Sequence, residues 1–113
     1  MRRLGVLSSE EAGELPGEFT LSENHPNPFN PSTIIEFSVP RPSFVTLKVF
    51  NILGQEVATL VDGETETGTY KITFDASAVS TSSTLRTELG SGVYFYRLTA
   101  GDFTATKKML LIR

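Results

Sequence analysis

A chain of 113 residues with 39% hydrophobic and 20% charged residues has the composition of one globular domain. A chain of this length buries roughly two thirds of its unfolded surface, enough for a core without staples. A net charge of −3 gives no sequence-wide basic footprint and so argues against nucleic acid as a partner, while the lack of cysteine excludes disulfides, thiolate metal sites and cysteine nucleophiles.

Residues 1–17 mix Gly, Ser and Glu without sustained periodicity and end in the turn signal Leu15-Pro16-Gly17, which predicts a flexible leader or linker ahead of a folded domain over 18–113. Met1–Leu7 lacks the apolar length of a secretory signal, and no apolar run approaches the ~20 residues of a membrane-spanning helix. No membrane span is expected, and a secreted parent would carry its signal elsewhere.

From Phe19 onward, short runs rich in Val, Ile, Thr, Phe and Tyr recur between Pro, Gly, Asn and Asp clusters. The spacing predicts an all-β sandwich with strands at Phe19–Glu23, Thr33–Val39, Phe44–Phe50, Glu56–Val61, Thr69–Phe74, Val93–Thr99 and Phe103–Ile112. Between the first two lies Pro26-Asn27-Pro28-Phe29-Asn30-Pro31, where three prolines remove backbone donors and fix φ, so the segment is a rigid loop. Period-two alternation puts Thr33, Ile35, Phe37 and Val39 on a core face, and likewise Val45, Leu47 and Val49, and Tyr70, Ile72 and Phe74. Such alternation marks antiparallel sheets with one wet face. Pro40-Arg41-Pro42, Leu53-Gly54-Gln55 and Ala100-Gly101-Asp102 read as turns. The run Val93–Leu98 is apolar on nearly both faces, which predicts a central strand.

The polar, Ser/Thr-rich connection Asp75–Ser91 is far longer than the others, and 78–90 reads as a loop insertion, either a binding appendage or inert. Candidate chemistry is sparse. His25 has no histidine partner, precedes a proline and meets no Gly-x-Ser-x-Gly elbow, so no catalytic residue is expected. Asp62, Glu64 and Glu66 around Gly63 read as a loose acidic group in a turn, a weak basis for a calcium site, which needs about six oxygens. Neither metal nor cofactor is expected, Gly90-Ser91-Gly92 included, since it leads into a strand and not a helix. Phe95 or Tyr96 would serve a sugar only if uncovered.

Two segments suggest recognition. The rigid Pro26–Pro31 loop, with Phe29 as its anchor, offers a surface already low in conformational entropy. The last strand carries Lys107 and Lys108, which either block edge pairing or give a partner a charged strand to grip.

Taken in order, Leu15-Pro16, Phe19–Pro31, Val49–Val57, Gly68-x-Tyr70, Gly92-Val93-Tyr94 and Lys107–Arg113 resemble the C-terminal sorting domain of the type IX secretion system. The resemblance covers Leu15–Arg113 and implies an immunoglobulin-like antiparallel β-sandwich of seven strands. It further implies a non-catalytic signal that directs a fused cargo through the periplasm and across the outer membrane of a Bacteroidetes-type bacterium, to be secreted or held at the cell surface. The implied partners are the outer-membrane secretion machinery and a sortase-like protease that cuts near Gly13–Gly17. The residues expected to meet them are Pro26, Asn27, Pro28, Phe29, Asn30, Pro31, Gly92, Tyr94, Lys107 and Lys108. Departures are the long Ala78–Gly90 segment and the lack of cargo in this chain. A carbohydrate-binding or spacer module of a secreted enzyme is the alternative, and a small enzyme ranks last.

Overall fold

The computed structural model describes residues 16–79 and 89–113. The alternating runs become strands: β1 (Thr20–Leu21), β2 (Ser32–Val39), β3 (Ser43–Phe50), β4 (Glu56–Thr65), β5 (Gly68–Asp75), β6 (Gly92–Ala100) and β7 (Phe103–Leu111). They form two antiparallel sheets in the order β1-β2-β5 and β4-β3-β6-β7, an immunoglobulin-like sandwich. Hairpins join β3 to β4 and β6 to β7, whereas Pro40-Arg41-Pro42 carries the chain from one sheet to the other. As its two apolar faces imply, β6 lies between β3 and β7; β7 is an edge strand.

The core lies between the sheets and is filled by one parity of each strand. Ile35, Phe37 and Val39 of β2 and Phe74 of β5 face Val45, Leu47 and Val49 of β3, Tyr96 and Leu98 of β6, and Met109 and Leu111 of β7, all fully or almost fully buried. Burying side chains of this size is worth roughly 1.5–3 kcal/mol each, which makes this layer the main source of stability. The sheets are also bonded to one another. The fully buried Tyr96 donates its hydroxyl to the Ser22 carbonyl beyond β1 at 2.7 Å, and Phe19 stacks on Phe103 with ring centroids 5.5 Å apart.

Three boundaries differ from the sequence expectation. β1 is only two residues long, because the chain leaves the sheet toward the proline loop. β4 continues past Val61 to Thr65, with Asp62 opposite Thr46 and Glu64 opposite Phe44, so the supposed turn is strand. Pairing with β3 overrides the local turn signal of Asp62-Gly63-Glu64, and a register shift between Leu47 and Lys48 accommodates it. Finally, the ends of the long β5–β6 connection are core: Ala76, Val79 and Leu89 are buried, the Ala76 amide donates to Pro31 O and the Leu89 amide to Ala76 O, both at 2.9 Å. The expected insertion over 78–90 lies largely outside the described residues, as does the leader up to residue 15.

Candidate functional site

The proline loop is built up from its flanks. The amides of His25 and Ile34 each donate to the other's carbonyl at 2.9 Å, closing the base of the loop. Inside it, the buried Asn24 side chain donates to Pro26 O at 3.2 Å and to Thr33 Oγ1 at 3.1 Å, and the Thr33 hydroxyl donates to Pro26 O at 2.8 Å. These bonds satisfy a carbonyl that the prolines leave without a regular partner. The three X-Pro bonds, before Pro26, Pro28 and Pro31, are cis.

From this base the loop crosses to the other sheet and clips onto the end of β7. The Phe29 amide donates to Leu110 O and the Ile112 amide to Phe29 O, both at 3.0 Å, forming a parallel bridge between Phe29 and Leu111. Beside it the Leu110 amide donates to Asn27 Oδ1 at 3.0 Å. Phe29 is 2% exposed and meets Phe74 edge to face at 6.0 Å, so it anchors the clip in the core. Around it Pro26, Asn27, Pro28 and Asn30 are exposed, and Pro31 is half-buried.

Gly92 and Tyr94 support the same corner from below. Gly92 sits opposite Leu111 and Tyr94 opposite Met109 in the β6–β7 ladder. The Tyr94 hydroxyl donates to Gly90 O at 2.8 Å, four residues upstream, which turns the chain into β6. Tyr70 repeats the device at the start of β5, donating to Glu66 O at 2.6 Å. The two resulting Gly-x-Tyr patterns need glycine, since Gly68 and Gly92 take φ of +157° and +153°. Burial pushes the Tyr94 hydroxyl upward in pKa and carries Tyr96 to about 12, with the Asn24 backbone bond opposing and the Glu23 charge reinforcing.

The two lysines separate. Lys107 shares the inward parity of Ala105 and Met109 and is half-buried, whereas Lys108 lies on the exposed outer face with Thr106 and Leu110. Lys108 joins Asn27, Val93, Met109 and Leu110 around a shallow depression of about 130 Å³. The structure thus brings the proline loop, Gly92, Tyr94 and Lys108 to one corner and turns Lys107 away. Phe29 and Tyr94 are too buried to be touched by a partner. Sequence reasoning missed Asn24, Thr33 and the Leu110–Ile112 backbone, although alternation along β7 already separates the lysines.

The remaining candidates are dispersed. His25 is exposed, and its backbone is committed to Ile34. Asp62 and Glu64 share the solvent face of β4, and among the described residues no group of three His, Asp or Glu is placed to hold a metal ion. Tyr96 is fully buried, which removes it from any sugar platform, while Phe95 is half-buried on the outer face. Burial ties both the loop and the last strand to the fold, so neither can be trimmed without opening the core. Met109, Leu111 and Phe29 are among the largest fully buried side chains.

Comparison with known proteins agrees with this architecture. A model of the secretion system C-terminal sorting domain family matches residues 24–112. Among solved structures, the crystal structure of dimeric latent PorU from Porphyromonas gingivalis is similar in fold, with a TM-score of 0.61 and 18% identity over 86% of this chain. The chain spans 10% of that protein. No curated protein sequence matches.

Proposed function

The chain belongs to the secretion system C-terminal sorting domains, the family whose model matches residues 24–112, and from that premise we propose that its signal is a composite surface formed where the proline loop clips onto β7. The domain is a sorting signal for type IX secretion. It works with that machinery and sends the polypeptide that carries it through the outer membrane to the cell surface or the extracellular space. As a tail it is non-catalytic.

The observation that carries the surface is the pairing of Asn27 and Phe29 with Leu110 and Ile112, which fuses two separate sequence signals into one rigid corner. Within it, exposed Pro26, Asn27, Pro28, Asn30 and Lys108 meet the receptor, while Phe29, Pro31, Gly92 and Tyr94 hold them in place; Lys107, on the opposite face of β7, lies outside this surface. A pre-organised surface lowers the entropic cost of docking, and a single lysine at its rim adds charge selection. In the same reading residues 18–113 form the sorting unit, residues 1–17 link it to a fused cargo, and a sortase-like protease cuts around Gly13–Gly17.

The test is a reporter with an export signal ahead of it and the full 113-residue chain behind it, produced in a bacterium competent for type IX secretion. Lys108→Glu is expected to leave the domain folded and to lower surface delivery about tenfold or more, as one reversed charge contact would. Thr104→Glu, on the same exposed face nearer the other end of β7, is expected to export normally. Equal export of all three forms sinks the proposed surface.

A further inference from the structure

The outer face of the β4-β3-β6-β7 sheet holds a second group of residues, of which the proline corner uses only Lys108. Register across the strands sets two adjacent rows, Lys108–Phe95–Phe50–Glu56 and Thr106–Arg97–Lys48–Thr59. Glu56 is the only carboxylate in these rows, and it is held by Lys48 at 3.5 Å and by the Thr59 hydroxyl. The Arg97 guanidinium lies over the Phe50 ring, 5.0 Å from its centroid, and its Nε donates to Thr106 Oγ1 at 3.2 Å. Arg97 is exposed and lines two depressions, of about 260 Å³ and 190 Å³, on either side of that contact. An arginine already fixed against an aromatic ring loses little further freedom on accepting a carboxylate.

The larger depression is closed by the β3–β4 turn, whose order is unusually complete. Asn51 Oδ1 accepts from the amides of Leu53 and Gln55 at 2.9 and 3.0 Å, and Asn51 Nδ2 donates to Gln55 Oε1 at 2.8 Å. The Asn51 amide donates to Gln55 O, and the Gly54 amide to Asn51 O, each at 3.0 Å. What this rigid turn presents is Ile52 at 70% and Leu53 at 78% exposure. Two large aliphatic side chains held out in water gain nothing for the core, and next to an apolar depression they mark a contact surface.

We propose that this face, centred on Arg97, Phe50, Phe95 and the Ile52–Leu53 tip, docks an acidic segment of a protein partner, with a carboxylate on Arg97 and an apolar side chain in the depression between Ile52 and Phe95. Charge complementarity selects that occupant. A second copy packed face to face would offer Arg97 only Glu56 among the carboxylates of these rows, and that group is already held by Lys48, while a neutral polysaccharide would leave the guanidinium desolvated without a counter-charge. The family reading enters only in placing this partner on the export path, where Lys108 joins this face to the proline corner.

The test uses the whole 113-residue chain, labelled with nitrogen-15, and two blocked hexapeptides, Gly-Leu-Glu-Phe-Glu-Gly and its counterpart with both glutamates replaced by lysine. The acidic peptide is expected to shift the amides of 50–55 and 95–97 saturably and to lose affinity with added salt. Arg97→Ala is expected to weaken it about tenfold, with the native amide pattern retained. Equal binding of the lysine peptide, shifts elsewhere, no binding, indifference to Arg97→Ala, or concentration-dependent self-association through these residues overturns the inference. In the reporter assay, Leu53→Glu and Arg97→Glu should each block export of a folded domain. If both export while the unaltered chain also exports, the docking face is wrong; if the unaltered chain does not export, the sorting reading fails instead.

Discussion

Tyr96 stands in the core with its hydroxyl donated to Ser22, so ionising it would place a phenolate where solvent does not reach. Its pKa of about 12 exceeds the ordinary value of 10.0, and the folded state therefore binds this proton more tightly than the unfolded state does. The contribution is fully present below the unfolded pKa and is lost as pH rises through the folded one. Denaturant unfolding is expected to show stability falling by about 3 kcal/mol across this alkaline window. Tyr96→Phe should cost about 1 kcal/mol at neutral pH through the lost bond and flatten most of the alkaline loss. Tyr94, raised in the same direction, leaves a smaller residual slope. An undiminished slope in the Phe variant would assign the effect elsewhere.

At the scale of elements, the clip and β7 are interdependent. Phe29→Ala removes an almost fully buried ring beside Phe74 and is expected to cost about 3–5 kcal/mol. Asn27→Ala removes only the side-chain acceptor of the Leu110 amide, and should speed hydrogen exchange at Leu110 by about fivefold while barely changing global stability. If exchange at Leu110 is unchanged, the loop does not hold the strand. Element by element, β2, β3 and β5 were legible because each has one wet face, which period-two alternation records directly, and β6 because it is apolar on nearly both. The extension of β4 was not legible. Asp62-Gly63-Glu64 is a local turn signal, and only its partner residues in β3, across the hairpin, convert it into ladder. The clip was hidden for the same reason, since Asn27 and Leu110 lie 83 residues apart. Its members were recognisable singly, by proline content and by terminal lysines, but nothing local says that they meet.

Across the whole molecule, the segment from Phe19 to Thr33 belongs to both sheets. It pairs with β2 through Thr20 and Leu21, receives Tyr96 at Ser22, and binds β7 through Asn27 and Phe29. Stability is consequently shared between the front and the back of the domain. Deleting Lys107–Arg113 strips Met109 and Leu111 from the core along with the clip's partner, and is expected to abolish the cooperative thermal transition and not merely to lower export. A cooperative transition in the shortened chain would show that the four-stranded sheet survives without its edge. Export experiments therefore need exposed single-residue variants such as Lys108→Glu, because truncation confounds loss of signal with loss of fold.

The parallel bridge between Phe29 and Leu111 also sets an order in time. A ribosome delivers the proline loop long before the strand that receives it, and a chain interrupted anywhere ahead of Leu110 holds one half of the corner without the other. The surface that would be read at the outer membrane comes into existence only after synthesis has passed Ile112 and the sandwich has closed. A receptor that recognises this corner would thereby pass polypeptides whose synthesis has gone beyond Ile112 and ignore those terminated before it, with no separate inspection step.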